Sequence, residues 1–273
     1  VISDVNAASR AAWASIPQAV SSFIRKTFAL VELEIRKLRH DPTELISRAV
    51  QPALWLLVFG QVFGRIRGIG IAHYQDFLAP GILAQSVLFI AIFYGIAVIW
   101  ERDLGLVHKF LVSPTPRVVL VLGKAVSASV RSISQVLIIY VLAVITGVHL
   151  SWNPLRLITV LAVVMLAAAF FSTFSLVIAC LVKTRERFMG IGQLMTMPLF
   201  FASNAIYPIS LMPNWLQAIA RVNPLTYEVD ALRGAMLASG TSQYGLLVDV
   251  GALLAASAIL IAIGARLYPR VVT

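Results

Sequence analysis

Four histidines (His40, His73, His108 and His149) and one cysteine, Cys180, are the side chains best suited to acid–base, nucleophilic or metal chemistry in this chain. No two histidines stand in the H-E-x-x-H spacing that sets a pair of imidazoles on one helix face around zinc. Cys180 lies in an apolar run with no second thiol to pair with, so it reads as packing. The G-x-S-x-G elbow of a serine hydrolase is missing, and so is the G-x-x-x-x-G-K-[ST] loop that cradles nucleotide phosphates. The expectation is a chain that is not an enzyme, hydrolyses no ATP and holds no metal or cofactor of its own. What stands out instead is "WERDLGLVHKFLVSPTPR", Trp100 to Arg117, where charges and helix breakers crowd together. Leu104, Val107, Phe110 and Leu111 form an apolar face at helical spacing, ringed by Glu101, Arg102, Asp103, His108 and Lys109, and Pro114 and Pro116 stop the helix. A short amphipathic helix of this kind suits docking into a groove on another protein, and a solvated connecting loop is the plainer alternative.

The elements around that run are greasy. Hydrophobic residues make up 59% of the 273 and charged ones 12%, with a mean hydropathy of +0.88, against about 25% charged in soluble domains. The fold class is therefore all-α integral membrane protein. Six stretches approach the roughly 20 residues a spanning helix needs: Leu45–Gly64, Phe77–Trp100, Ala125–Val148, Leu157–Val182, Phe188–Ile209 and Leu246–Ala265. With both termini cytoplasmic, Lys and Arg inside outnumber those outside sixteen to five, and Arg131 is left within a span. The net charge of +10 is thus a topology signal and calls for no nucleic acid. Val1 to Gln18 lacks the basic start and apolar core of a cleaved leader, so none is expected there.

Two further elements border the spans. Ile24, Phe28, Val31, Ile35 and Leu38 alternate by four and three, with Arg25, Glu32, Arg36 and Arg39 opposite, so residues 20–41 are expected to lie as an amphipathic helix in the cytoplasmic interface. It either grips lipid alone or also supports a partner. Ser210 to Gly240 is too polar and broken to cross. Pro213 and Pro224 are placed as first helical residues, Asn223 as an N-cap and Gly240 as a terminator, which predicts two short helices dipping back into the outer leaflet. Leu225, Val229, Leu232 and Met236 are their apolar face, and Asp230 is within reach of Arg233 one turn on. The second Asn-Pro-Leu, at Asn153, is taken as chance.

Intramembrane polar groups need a reason. Lys124, Ser127, Arg131, Ser134 and Gln135 share a stripe of the third span, which either faces a water-filled interior or leaves Arg131 to snorkel to the surface. The cores of all six expected spans are free of Asp and Glu, and Asp249 sits only near an end of the last. A self-powered carrier usually keeps a midplane carboxylate, so the energy is expected to come from another subunit. A membrane scaffold or enzyme is the third alternative.

Three segments in order, "FLAPGILAQSVLF", "IWERDLGLVHKFLVSPTPRVVLVLGK" and "NAIYPISLMPNWLQAIARVNPLTYEVDALR", resemble permease subunits of type 2 ATP-binding-cassette exporters, above all the daunorubicin-resistance-type branch. Permeases for nodulation lipo-oligosaccharides and surface polysaccharides are similar but less so. The resemblance runs from about Ile24 to the end and implies one transmembrane domain over 1–273, set in a bacterial plasma membrane. It implies two copies of a cytoplasmic ATPase, which hold the ATP and Mg, and a second permease copy or a sister permease. It makes residues 101–112 the coupling helix, with Glu101, Arg102, Asp103, Leu104, Val107, His108, Lys109, Phe110, Pro114 and Arg117 as partner-binding candidates, supported by Phe28, Glu32 and Arg36 of the interface helix. Gln85, Phe89, Phe93, Arg131, Met197 and Phe201 become candidates for the export path, and Tyr207, Asn223, Asp230 and Arg233 for an outer gate. The cargo implied is a drug, lipid or glycan, hydrophobic or amphipathic.

Overall fold

In hydrocarbon no water is at hand for backbone N–H and C=O groups, so long apolar runs satisfy them internally as helices. The computed structural model describes residues 42–64, 73–104, 117–182 and 184–268. The chain falls into two units, Val1–Pro42 and Thr43–Thr273. The described residues form α1 (Pro42–Leu54), a π-helical turn (Trp55–Phe59) and α2 (Gly60–Gly64); α3 (Tyr74–Tyr94) and α4 (Ile96–Asp103); α5 (Arg117–Ile145); α6 (Pro154–Leu181); α7 (Arg185–Phe201); α8 (Asn214–Val222); α9 (Pro224–Met236); and α10 (Leu246–Leu267).

Four helices among the described residues are long and apolar enough to cross a membrane: Tyr74–Asp103, Leu120–Ile145, Pro154–Leu181 and Leu246–Leu267. They match four of the six expected spans. The expected span Leu45–Gly64 is helical but interrupted: Pro52 removes a rung of the backbone ladder, the π turn follows, and Arg48, Gln51 and Gln61 dilute its apolar character. The expected span Phe188–Ile209 ends early. Its helix runs 17 residues to Phe201, about 25 Å at 1.5 Å per residue, short of the roughly 30 Å hydrocarbon core. Residues 202–208 leave the helix as turns, although their mean apolarity continues the hydropathy window.

α6 lies at the centre, packed against α5, α10, α3 and α9. At the junction of α3 and α4 the Ser175 hydroxyl of α6 donates to the Ile92 carbonyl, and a Cβ on Gly95 would overlap Ser175, so only glycine lets the two helices approach there. α9 is too short to span, yet Leu225, Val229, Leu232 and Met236 are all fully buried, packed among α3, α6 and α10 as their spacing predicts. Two boundaries differ from expectation: Pro213 is the N-cap of α8 rather than its first residue, and α9 ends at Met236, four residues before Gly240. Asn153 and Asn223 turn out to be one device used twice. Each side chain accepts from the N–H two residues on, at 2.9 and 3.0 Å, with proline at the first helical position. The recurrence of Asn-Pro-Leu is therefore capping chemistry and not chance. Cys180 is buried in an apolar cluster with Val98, Ile99 and Phe188, as packing.

Candidate functional site

The base of the charged run is held by ion pairs from two other helices. Asp103, the last residue of α4, is gripped on one carboxylate oxygen by its neighbour Arg102 (3.1 Å) and on the other by Arg185 at the start of α7 (2.8 and 3.1 Å). The Arg185 guanidinium also lies over the Trp100 ring, 4.0 Å from its centroid. Arg102 reaches the Val182 carbonyl at 3.4 Å. Glu101 pairs with Lys124 of α5. Residues 100–104 are thereby tied to α5, to the end of α6 and to the start of α7, while Leu104 stands 69% exposed at the brink of the next segment. Val107, His108, Lys109, Phe110 and Pro114 lie outside the described residues, as do Phe28, Glu32 and Arg36; Arg117 opens α5.

The opposite end of the bundle holds the expected gate residues. Asn223 caps α9 with its oxygen and donates its amide nitrogen to the carbonyls of Leu199 (2.7 Å) and Ala202 (2.8 Å), so one buried side chain joins α9 to the end of α7. Tyr207 donates to the Phe201 carbonyl. Asp230 and Arg233 do not form the expected contact. Asp230 accepts from the Ser242 hydroxyl and the Tyr244 N–H, both at 2.9 Å, whereas Arg233 sits 3.9 Å from the Phe77 ring centroid and donates to the Asn204 carbonyl at 2.9 Å. Each finds a partner aimed from a neighbouring element, which the one-turn spacing along α9 cannot reveal. Burial pushes the Arg233 guanidinium down to about 10, with the Asp230 charge opposing, so it stays charged at neutral pH. Glu228, fully buried in α9, has no hydrogen-bond partner on either carboxyl oxygen among the described residues. Burial holds its pKa well above the ordinary carboxyl range.

With this geometry in place, the comparisons decide the family. Residues 25–237 match the family model described as ABC-2 type transporter. The chain belongs to that family. A putative transport permease, ycf38, of Cyanophora paradoxa is 33% identical over 217 residues, covering 77% of this chain and 74% of that protein. The daunorubicin resistance ABC transporter permease protein DrrB1 of Streptomyces coeruleorubidus is 25% identical, covering 85% and 80%. The inner membrane transport permease YadH of Escherichia coli K12 is 23% identical, covering 77% and 80%. These relatives place the chain among ABC-2 type permeases; it is a transport subunit and not a catalyst.

Within this ABC-2 permease the export-path candidates fall into two groups. Phe89 and Phe93 stack at 6.1 Å on α3. The Arg131 guanidinium lies 5.1 Å from the centroid of the Tyr94 ring, and Gln85 is buried nearby on the same helix. Phe201 instead lines an apolar cavity of about 900 Å³ with Met195, Trp215 and Ile219, between α7 and α8. Met197 is partly exposed on α7, outside the lining of that cavity. Sequence reasoning passed over Trp100 as a cation–π partner, Asn204 as the acceptor for Arg233, and Glu228. Only the presence of Glu in an otherwise apolar helical face signalled the last of these.

Proposed function

We propose that the chain is the six-span permease subunit of an ATP-driven exporter, with α1–α2 and α7 completing the four long spans. It moves a hydrophobic or amphipathic substrate out of the cytoplasm or inner leaflet of a bacterial plasma membrane, with both termini cytoplasmic as the distribution of Lys and Arg favours. ATP and Mg are held by two copies of a separate ATPase subunit. The observation that carries the reading is the ion-pair collar at residues 100–104. A segment that must take a push from a soluble engine needs its base fixed to the helices that move, and Asp103–Arg185 and Glu101–Lys124 supply that fixing to α7 and α5. Residues 101–112 then act as the coupling helix: Leu104, Val107 and Phe110 fill a groove in the ATPase, Glu101, Arg102, Asp103, His108 and Lys109 set register, and Pro114 stiffens the approach to Arg117. The interface helix 20–41, through Phe28, Glu32 and Arg36, supports it. A second permease copy, or a sister permease, covers the exposed apolar faces of α7 and α8, where Leu194, Phe201, Trp215 and Val222 are open. Residues 210–240 form the outer re-entrant gate around Tyr207, Asn223, Asp230 and Arg233. A member of the daunorubicin-resistance-type branch is the finer reading, resting on the resemblance of the three quoted segments.

Co-purification with the ATPase and ATP-dependent export in vesicles test this. Phe110→Ala should weaken retention of the ATPase, and Pro114 and Pro116 changed together to Gly should keep binding but uncouple hydrolysis from export. Full binding and coupled export by Phe110→Ala, with both abolished by changes in the segment Lys183 to Arg187, would move the coupling role to that segment.

A further inference from the structure

We propose that His73 and His149 together bind a divalent transition-metal ion of the imidazole-seeking class, Zn2+ or Cu2+, with Asp76 as the residue that orients His149. The two histidines show no metal spacing along the chain, yet folding brings them together at the end of the bundle where α3 begins. Their ring centroids lie 5.3 Å apart with the ring planes at 66°. A zinc ion about 2.0–2.1 Å from a ring nitrogen stands about 3.2 Å from that ring's centroid, and two rings held at a tetrahedral angle then have centroids about 5.2 Å apart. The observed separation is the one a bridging ion needs.

His149 is held in the form that binds metals. Its backbone N–H donates to one Asp76 carboxylate oxygen and its Nδ1 to the other, both at 3.0 Å. A carboxylate can only accept, so the proton sits on Nδ1 and Nε2 keeps its lone pair. A carboxylate behind an imidazole in this way fixes the ring and raises its basicity as a ligand. The backbone of His149 is pinned as well, since its carbonyl accepts from the Ala238 N–H at 3.0 Å. The His149 side chain is 65% exposed, so an ion in solution can reach it. His73, the N-cap of α3, is exposed too, and its carbonyl takes the Asp76 and Phe77 N–H groups at 3.1 and 3.3 Å. The His73 ring makes no hydrogen bond to the described residues, so it can turn its edge to an ion held by His149. It also borders a polar cavity of about 250 Å³ with Gln61, Gln75 and Asp76, which leaves room for water ligands. Arg156, from the start of α6, is turned instead to the Leu237 and Ala238 carbonyls at 2.9 and 3.3 Å. No set of three His, Cys, Asp or Glu able to hold a metal occurs among the described residues. Two imidazoles with water in the remaining places therefore favour the metals that bind imidazole best, copper and zinc, over magnesium or calcium. A bound ion would tie the start of α3 to the link after α5, and through Ser151 N–H to the Met236 carbonyl (2.9 Å) to the end of α9.

The full chain, purified in detergent with His40 and His108 changed to Gln, can be titrated calorimetrically with Zn2+. One ion per chain should bind. His73→Gln and His149→Gln should each weaken it at least about tenfold, and the two together little more, because either alone already breaks the two-point grip. Asp76→Asn keeps both imidazoles and should still weaken binding about tenfold or more. Saturating Zn2+ should raise the melting temperature of the parent chain and leave that of His73→Gln unchanged. Should loss of the Asp76 clamp unfold His149→Gln, His73→Gln carries the test, since that ring is exposed and bonded to nothing described. Unchanged Zn2+ affinity in His73→Gln overturns the proposal, and so do losses in the two single variants that simply add in the double. Displacement of Zn2+ by an equal concentration of Mg2+ would mean oxygen ligands and overturn it as well. No ATPase and no cargo enter these measurements, so a failed metal site and a failed coupling reading are separate results.

Discussion

Asn223 offers the sharpest test of how α9 is joined to the end of α7. Its oxygen caps α9 at 3.0 Å, and its amide nitrogen donates to Leu199 and Ala202 carbonyls at 2.7 and 2.8 Å, in a site where the residue is 5% exposed. Loss of an N-cap costs roughly 0.5–2 kcal/mol. Each hydrogen bond removed costs about 0.5–1.5 kcal/mol net, rising to about 1–3 kcal/mol where the carbonyl left behind stays buried. Asn223→Ala forfeits all three interactions and should destabilise by about 2–5 kcal/mol. Asn223→Ser keeps a capping oxygen and should lose less. Asn223→Asp is the decisive variant: it keeps the cap yet turns both donations into oxygen facing oxygen, and should be at least as damaging as alanine. Unfolding in detergent can be followed by tryptophan fluorescence, since Trp215 stands on α8 close to the junction. An Asn223→Asp protein within about 0.5 kcal/mol of wild type would refute the joint between α7 and α9. An intact joint also predicts that Asn223→Ala slows export more than it weakens ATPase binding.

Burial raises the Glu228 pKa well above the ordinary carboxyl value of about 4.3. Its contribution is therefore fully present below the unfolded pKa and is lost as pH rises through the folded one; Glu228→Gln should melt like wild type below about pH 4 and higher than it at about pH 8, and the same difference between the two proteins at both pH values would contradict this. A Cβ on Gly81 would strike the backbone of Ala205, whereas Gly123 in α5 has open space around it; Gly81→Ala should cost about 1–3 kcal/mol and Gly123→Ala should be neutral or stabilising by up to about 1 kcal/mol, an order that thermal unfolding checks. Asp103→Asn and Arg185→Gln should each keep the ATPase bound while lowering export per ATP hydrolysed, and an unchanged ratio would remove the collar from the coupling path. With Cys180 replaced, cysteines at Ser3 and Thr241 should label differently with an impermeant reagent, and equal labelling from outside would reverse the topology.

What could be read from the sequence was local. Hydropathy over about twenty residues marked the four long spans, because a helix in lipid needs only its own backbone and an apolar surface. The Asn-Pro steps marked the starts of α6 and α9, since a cap reaches only two residues along the chain. The spacing of Leu225, Val229, Leu232 and Met236 marked the buried face of α9. The same averaging overran the end of α7, because residues 202–208 are apolar enough to extend the window although their backbone turns away. Tertiary structure decided the pairings. Asp103 meets Arg185 across 82 positions, Arg48 meets Ser134 across 86, and Arg233 leaves its neighbour Asp230 for Phe77 and Asn204. Side chains on a packed bundle bond to whatever adjoining helices bring within about 3 Å, and that depends on how helices cross and not on how residues follow one another.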